Sequence, residues 1–391
     1  MQVVQSVHGV FHHFDLAREL ESQGSLARIY SSFPWRRLAR EGLPRERVRT
    51  FPWLQPPLLV LGNRIPIPEL WSQSLLSRCL PVFDAWVARQ IEECDAFVAL
   101  SGSGLKTGAV VQSRGGRYIC DRGSSHIRYQ DRIMTEEYAR WGVATRACDP
   151  YVVDREEAEY ERADLITVAS EFSRRTFVEM GVPAQKIRKV PYGVSPERFR
   201  KTGSPSSGRF DILFAGAVSL RKGIPYLLEA FQRFRHPGKH LRLVGSLEPA
   251  LASVLSRFDL SQVELTGIVT QPKLAEMMSR SHVLVLPSVE DGFGLVLGQA
   301  LACGCPLISS YHTGGEDMFT DGVEGFLVPP RSPEAILARL EELAANEPLR
   351  ERMSAAALDR VRSIGGWRDY GLAYAGVLQE AIGQNARAPL V

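Results

Sequence analysis

The sequence predicts an α/β protein built from two doubly wound, parallel-sheet domains, on three observations. The chain has 391 residues, enough for about two domains of 150–200 residues each. From about position 209 onward, short β-rich runs alternate with helix-length amphipathic segments. Strand–helix–strand repetition implies a parallel sheet covered on both faces, with right-handed crossovers. The stretch KTGSPSSG at 201–208 is small and polar apart from its lysine and proline, and reads as a linker. It separates that half from a first half with the same alternation in less regular form. Domains at 1–200 and 201–365 then face each other across a cleft. Ligands of such sheets sit at the C-terminal strand ends, near helix N-termini.

In chain order, the first half has strand candidates at 2–7, 26–30, 95–100, 117–121, 164–169 and 187–191. A helix over 69–93 should kink or break at Pro81, which lacks a backbone N–H. The second half has strands FDILFAG (210–216), LRLVG (241–245), VELTG (263–267), HVLVLP (282–287) and CPLISS (305–310), with helices at 224–235, 271–280 and 294–303. The C-terminal segment 366–391 is helical after Gly366 and is expected to dock back on the first domain.

Apolar residues make up 45% and charged residues 23%, an ordinary globular composition that excludes disordered, collagen-like and coiled-coil chains. The 47 basic and 44 acidic residues leave a formal charge of +3, far from the basic excess of a dedicated nucleic-acid binder. No apolar run approaches the roughly 18–20 residues of a membrane span. The start, MQVVQSVHGVFHHFDLA, lacks a basic stretch followed by an apolar one. It reads as a strand through Val3, Val4 and Val7 running into a loop, not as a signal peptide. Cys79, Cys94, Cys120, Cys148, Cys303 and Cys305 form no CxxC pair and no zinc spacing, so a reducing cytoplasm is the simple expectation.

The most informative segment is VLVLPSVEDGFGLVLGQALACGCP at 283–306. A buried strand ends at Pro287, an acidic turn follows (Glu290, Asp291, Gly292, Phe293, Gly294), and a helix then starts and ends near Gly304. The glycines let a ligand approach the backbone, and the free N–H groups of a first helical turn favour an anion. Two acids beside an anion site make sense if a polyhydroxyl group lies next to a phosphate. Gln299 follows Asp291 by eight residues, up to about 12 Å along a helix, a span that suits the two ends of a nucleotide sugar. Arg221 and Lys222 precede Gly223 at another strand-to-helix loop, where a guanidinium, an ammonium and a helix N-terminus make a diphosphate site.

These motifs resemble the family 4 retaining glycosyltransferases of GT-B architecture, whose signature is an acid, a Gly-Phe-Gly-like turn and a second acid eight positions later. The resemblance extends to VASEFSRRTFVEMGVPAQKIRKVPYGV (168–194), FAGAVSLRKGIPYLLEAF (214–231) and HTGGEDMFTDGVEGFLVPP (312–330), the last resembling the family's final strand region. It implies a sugar transferred from a UDP- or GDP-linked donor to a carbohydrate or lipid-linked hydroxyl acceptor, with retention and without a metal. It assigns Asp291 and Glu290 to the donor sugar and Gln299 to the ribose. Lys222, with Arg221, falls to the diphosphate, and Gly9, Gly216, Gly292, Phe293, Gly294 and Leu295 to close approach of the donor. His126, in CDRGSSHIRYQ (120–130), resembles the histidine that contacts the sugar at the reaction centre. Two departures stand out: Gln299 replaces the second acid, and Ala217 stands where the family often carries an arginine. They keep open a non-catalytic nucleotide-sugar-binding partner of another transferase; a nucleotide-sugar 2-epimerase shares the architecture.

Residues 33–71 mix arginines at 36, 37, 40, 45, 47 and 49 with Trp35, Phe51 and Trp53. Basic and aromatic residues together suit an anionic membrane surface or an acceptor carrying a lipid or phosphate, while a solvated basic loop is the plainer alternative. Cytoplasmic enzyme, peripheral on the membrane, is the resulting expectation.

Overall fold

The fully buried runs Val3–Val7, Ala96–Leu100, Phe210–Ala215 and Val283–Leu286 are the central strands of two parallel sheets, as mostly apolar strands covered on both faces must be. The computed structural model describes residues 1–54, 56–58 and 69–383. The first sheet holds β1 (Val3–Val7), β2 (Leu26–Ser31), β3 (Val48–Thr50), β4 (Ala96–Leu100), β5 (Arg117–Arg122), β6 (Leu165–Val168) and β7 (Ile187–Lys189), in the order β3-β2-β1-β4-β5-β6-β7. The second holds β8 (Phe210–Ala215), β9 (Lys239–Val244), β10 (Val263–Gly267), β11 (Val283–Leu286), β12 (Leu307–Ser310) and β13 (Gly325–Val328), in the order β10-β9-β8-β11-β12-β13. Every pairing within them is parallel. In both sheets the strand order reverses beside the first strand, which opens the crevice where such folds bind ligands.

The eleven strands expected from the pattern form to within two residues at either end. β3 was not expected: it has three residues, and only Val48 is buried. β13 lies where only the family resemblance pointed to a strand. The helix Glu69–Gln90 runs through Pro81 without the expected break.

The C-terminal helix Trp367–Gly383 lies against the helix His13–Ser22. A Cβ at Gly371 would stand 2.3 Å from that of Glu19, so only glycine permits this approach. Tyr374 reaches further in, its hydroxyl 2.9 Å from Thr167 Oγ1 on β6. Residues 384–391 of this segment lie outside the described residues. Among those described, no helix is long and apolar enough to cross a membrane.

Candidate active site

The C-terminal ends of the two sheets face one cavity of about 1020 Å³, at the top of the ~300–1,000 Å³ typical of ligand pockets. On the second domain its wall is formed by Gly216, Ala217, Arg221, Lys222, Asp291, Phe293, Gly294 and Leu295. Local geometry brings the two loops of this wall together. Gly223 takes φ +71°, and a Cβ there would meet the Pro287 carbonyl oxygen at 2.0 Å, so the loop after β8 lies directly on the end of β11. The backbone N–H groups of Val289 and Glu290 donate to the Arg221 carbonyl at 2.9 and 3.2 Å. Gly294 caps the helix Leu295–Ala302 in the left-handed region at φ +75°, leaving its first N–H groups at the cavity.

The charges on this wall are already paired. Lys222 Nζ bonds the Asp291 carboxylate, with only 14% and 11% of the two side chains exposed. Burial lowers the Lys222 pKa and Arg221 adds to the effect, against the pull of Asp291. Arg221 Nε donates to Glu290 Oε2 at 2.6 Å. Glu290 itself is fully buried and turned toward the first domain. Its Oε1 accepts from Ser124 Oγ at 2.7 Å, Ser125 N at 3.0 Å and Ser125 Oγ at 2.7 Å. Burial opposes its ionisation, but Arg221 and these donors win and hold its pKa at about 2. Glu290 is therefore an inter-domain clasp, not a wall residue.

Gly292 shares that role. Its carbonyl accepts from Ser170 Oγ at 2.6 Å and Ser173 Oγ at 3.1 Å, across the domain boundary. A Cβ on it would lie 2.2 Å from the Gly123 carbonyl oxygen. Gly292→Ala should therefore push the domains apart, costing about 1–3 kcal/mol as overpacking does. A lower thermal midpoint together with a larger radius of gyration by X-ray scattering checks this. Further out, Glu137 accepts from Tyr226 Oη at 2.8 Å and Arg331 Nε at 2.7 Å, and Lys189 pairs with Asp317 at 2.6 Å.

On the first domain the wall includes His8, Val10, Phe11, His12, Ser101, Arg122, Gly123, Ser124 and Tyr192. Gly9 sits buried behind it, at φ +124°, with its carbonyl accepting from Ser31 Oγ at 2.7 Å. His126 departs from the expectation. Its Nδ1 caps the helix Ile127–Trp141 by accepting from Arg128 N at 3.2 Å. Its ring packs on Tyr160 and Phe177, each 4.9 Å away centre to centre. Burial lowers its pKa to about 4, and it is absent from the cavity wall. Gln299, half-buried in the same helix as Leu295, also stays off the wall.

Two imidazoles do line the cavity, those of His8 and His12, and His12 is the one paired with a carboxylate. Its Nε2 lies 2.5 Å from Asp121 Oδ2 and 3.2 Å from Tyr192 Oη. Asp121 is buried at the end of β5, where Thr167 donates to its Oδ1 at 2.6 Å. Asp121 is held far below the usual carboxylate range: burial raises its pKa, and His12 and His13 lower it more. Tyr374, Thr167, Asp121 and His12 thus form one polar chain from the docked C-terminal helix to the cleft. His12, His13 and Asp121 are also the one His/Cys/Asp/Glu cluster with metal-like spacing among the described residues, their ligand atoms within 4.8 Å of one another. His12 was not singled out from the sequence. The signal was a buried carboxylate at a strand end, which must find a partner.

Two Rossmann-like domains facing across such a cleft define the GT-B class of glycosyltransferase folds. Sucrose-phosphate synthase from Thermosynechococcus elongatus superposes with a TM-score of 0.71 at 20% identity, covering 98% of this chain and all of that one (100%). HepE of Anabaena, solved in complex with UDP, gives 0.70 at 16% identity, covering 97% and 100%. At these identities the likeness shows the fold alone. Residues 195–360, within the second half of the chain, match the family model of glycosyl transferases group 1. The amylovoran biosynthesis glycosyltransferase AmsK of Erwinia amylovora is 25% identical over 213 residues, 50% of this chain and 52% of AmsK. The chain spans about half the length of the curated relatives it matches.

Proposed function

We propose that the protein is a glycosyltransferase that moves a sugar from a nucleotide-sugar donor to a hydroxyl acceptor, in polysaccharide or glycolipid synthesis. The observation that carries this reading is the convergence of Arg221, Lys222, Gly216 and the start of the helix Leu295–Ala302 on one wall of the cleft. A diphosphate placed there takes Lys222 over from Asp291, and Asp291 is freed to accept hydrogen bonds from sugar hydroxyls. Negative charge grows on the leaving diphosphate as the anomeric C–O bond breaks, and fixed cations stabilise that change most. Arg221 and Lys222 do this work in place of a metal. The acceptor oxygen forms the new bond on the same face, its proton passing to the leaving phosphate, so configuration is retained. The family resemblance supports this stereochemistry. HepE's complex with UDP and AmsK's role in amylovoran biosynthesis support the donor and pathway class. An anionic membrane is the expected location of a lipid-linked acceptor. Exposed Trp53 and Arg36 of the basic segment support it; residues 59–68 of that segment lie outside the described ones.

A thermal-shift screen with UDP, GDP, ADP and their sugar conjugates, with and without EDTA, tests the reading. One nucleotide should stabilise the protein, by about 2.7 kcal/mol at a hundredfold excess over Kd, regardless of EDTA. A nucleotide shift without sugar transfer in a product assay would favour the non-catalytic nucleotide-sugar-binding alternative suggested by Gln299 and Ala217; no shift with any nucleotide would overturn both.

A further inference from the structure

The cavity's charge is balanced at one end and not at the other. On the second-domain wall Arg221 and Lys222 are answered by Glu290 and Asp291, and midway Arg122 is answered by Glu156 at 2.8 Å. At the first-domain end the lining contains Arg18, Arg37, Arg40 and Arg198 but only two carboxylates, Asp15 and Glu41. Both carboxylates are already engaged. Asp15 pairs with Arg18, and Glu41 takes Arg37 at 2.7 Å, leaving Arg40 no closer than 4.0 Å. Arg198 stands within electrostatic reach of Asp15 and makes no ion pair among the described residues. Four guanidinium groups therefore face this end of the cleft against two carboxylates, an excess of two positive charges. Low-dielectric walls concentrate such a field on whatever enters.

We propose that the acceptor carries a phosphate ester, which Arg40 and Arg198 bind while its hydroxyl is presented near His12. This inference rests on the proposed glycosyltransferase reading and names the acceptor class for the same site. Guanidinium forks match phosphate oxygens in geometry as well as charge. The donor's diphosphate occupies the opposite wall, so the two anions do not compete. A neutral sugar acceptor would leave that excess of positive charge uncompensated.

The test saturates the full-length protein with whichever nucleoside diphosphate stabilises it. It then titrates glucose 6-phosphate and glucose by calorimetry, and measures co-flotation with phosphatidylglycerol and phosphatidylcholine vesicles. The comparison is the wild type with R40E/R198E. Binding of glucose 6-phosphate but not glucose, weakened at least tenfold in the double variant, supports a soluble phosphorylated acceptor. Flotation with phosphatidylglycerol alone, lost in the double variant, supports a lipid phosphate. An intact nucleotide shift in both proteins, with neither phosphate source bound or with binding unaffected by the substitutions, overturns the inference and leaves the transferase reading standing. Loss of the nucleotide shift in the wild type overturns both.

Discussion

Lys222→Ala is expected to lower the rate of sugar transfer by about 10²–10³, the usual effect of removing one preorganised group that meets developing charge. The fold should survive. Lys222 sits in a loop, and its partner Asp291 remains beside the open cavity, where water replaces the lost ammonium. Steady-state kinetics with the donor found by the nucleotide screen, alongside the thermal midpoint, separate the two effects. A transfer rate within threefold of wild type would remove Lys222 from the reaction. A collapse of the midpoint would make it structural.

Glu290→Gln is expected to have the largest effect on stability. The side chain is fully buried and accepts four hydrogen bonds, three from Ser124 and Ser125 of the other domain and one from Arg221. Breaking a buried ion pair costs about 3–5 kcal/mol. Arg221 is 33% exposed, which places this case near the low end. The pH dependence follows from the depressed pKa. An acid held at about 2 when folded, against about 4.3 when unfolded, stabilises the protein fully above about pH 5 and progressively less as pH falls toward 2. This amounts to about 3 kcal/mol in all. Calorimetric midpoints recorded from pH 6 to pH 2.5 should therefore fall more steeply for wild type than for Glu290→Gln. Parallel curves would show that Glu290 is not an ionised clasp.

The fold was legible where burial was complete. FDILFAG and HVLVLP are apolar apart from Asp211 and His282 because β8 and β11 are covered on both faces, and that signal survives without any knowledge of partners. β3 was not legible because a three-residue edge strand with one inward side chain carries no periodicity. Pro81 does not break the helix Glu69–Gln90, because its local cost is offset by the packing of a long helix, with Phe83 and Val87 buried in the first domain's core.

The site was legible in its chemistry more than in its geometry. The paired basic residues and the acidic glycine turn do share one wall. The division of labour between Glu290 and Asp291 could not be read, because it depends on Ser124 and Ser125, more than 160 positions away in the chain. His126 and His12 show the same limit. A histidine after two serines reads, by the family resemblance, as a ligand of the donor sugar, but such a residue can also cap a helix, and here it caps. The pairing of His12 with Asp121 spans 109 residues and follows only from the fold, which brings the loop after β1 to the end of β5, with β4 between the two strands.

The central claim is that a donor diphosphate binds at Arg221, Lys222 and the start of the helix Leu295–Ala302. A ³¹P NMR titration of the stabilising nucleoside diphosphate tests it most directly, in wild type and Lys222→Ala. Both phosphorus signals should shift and broaden on binding to the wild type, with the terminal phosphate's shift lost or strongly reduced in the variant. Binding with unperturbed phosphorus signals, or identical shifts in the two proteins, would contradict the account.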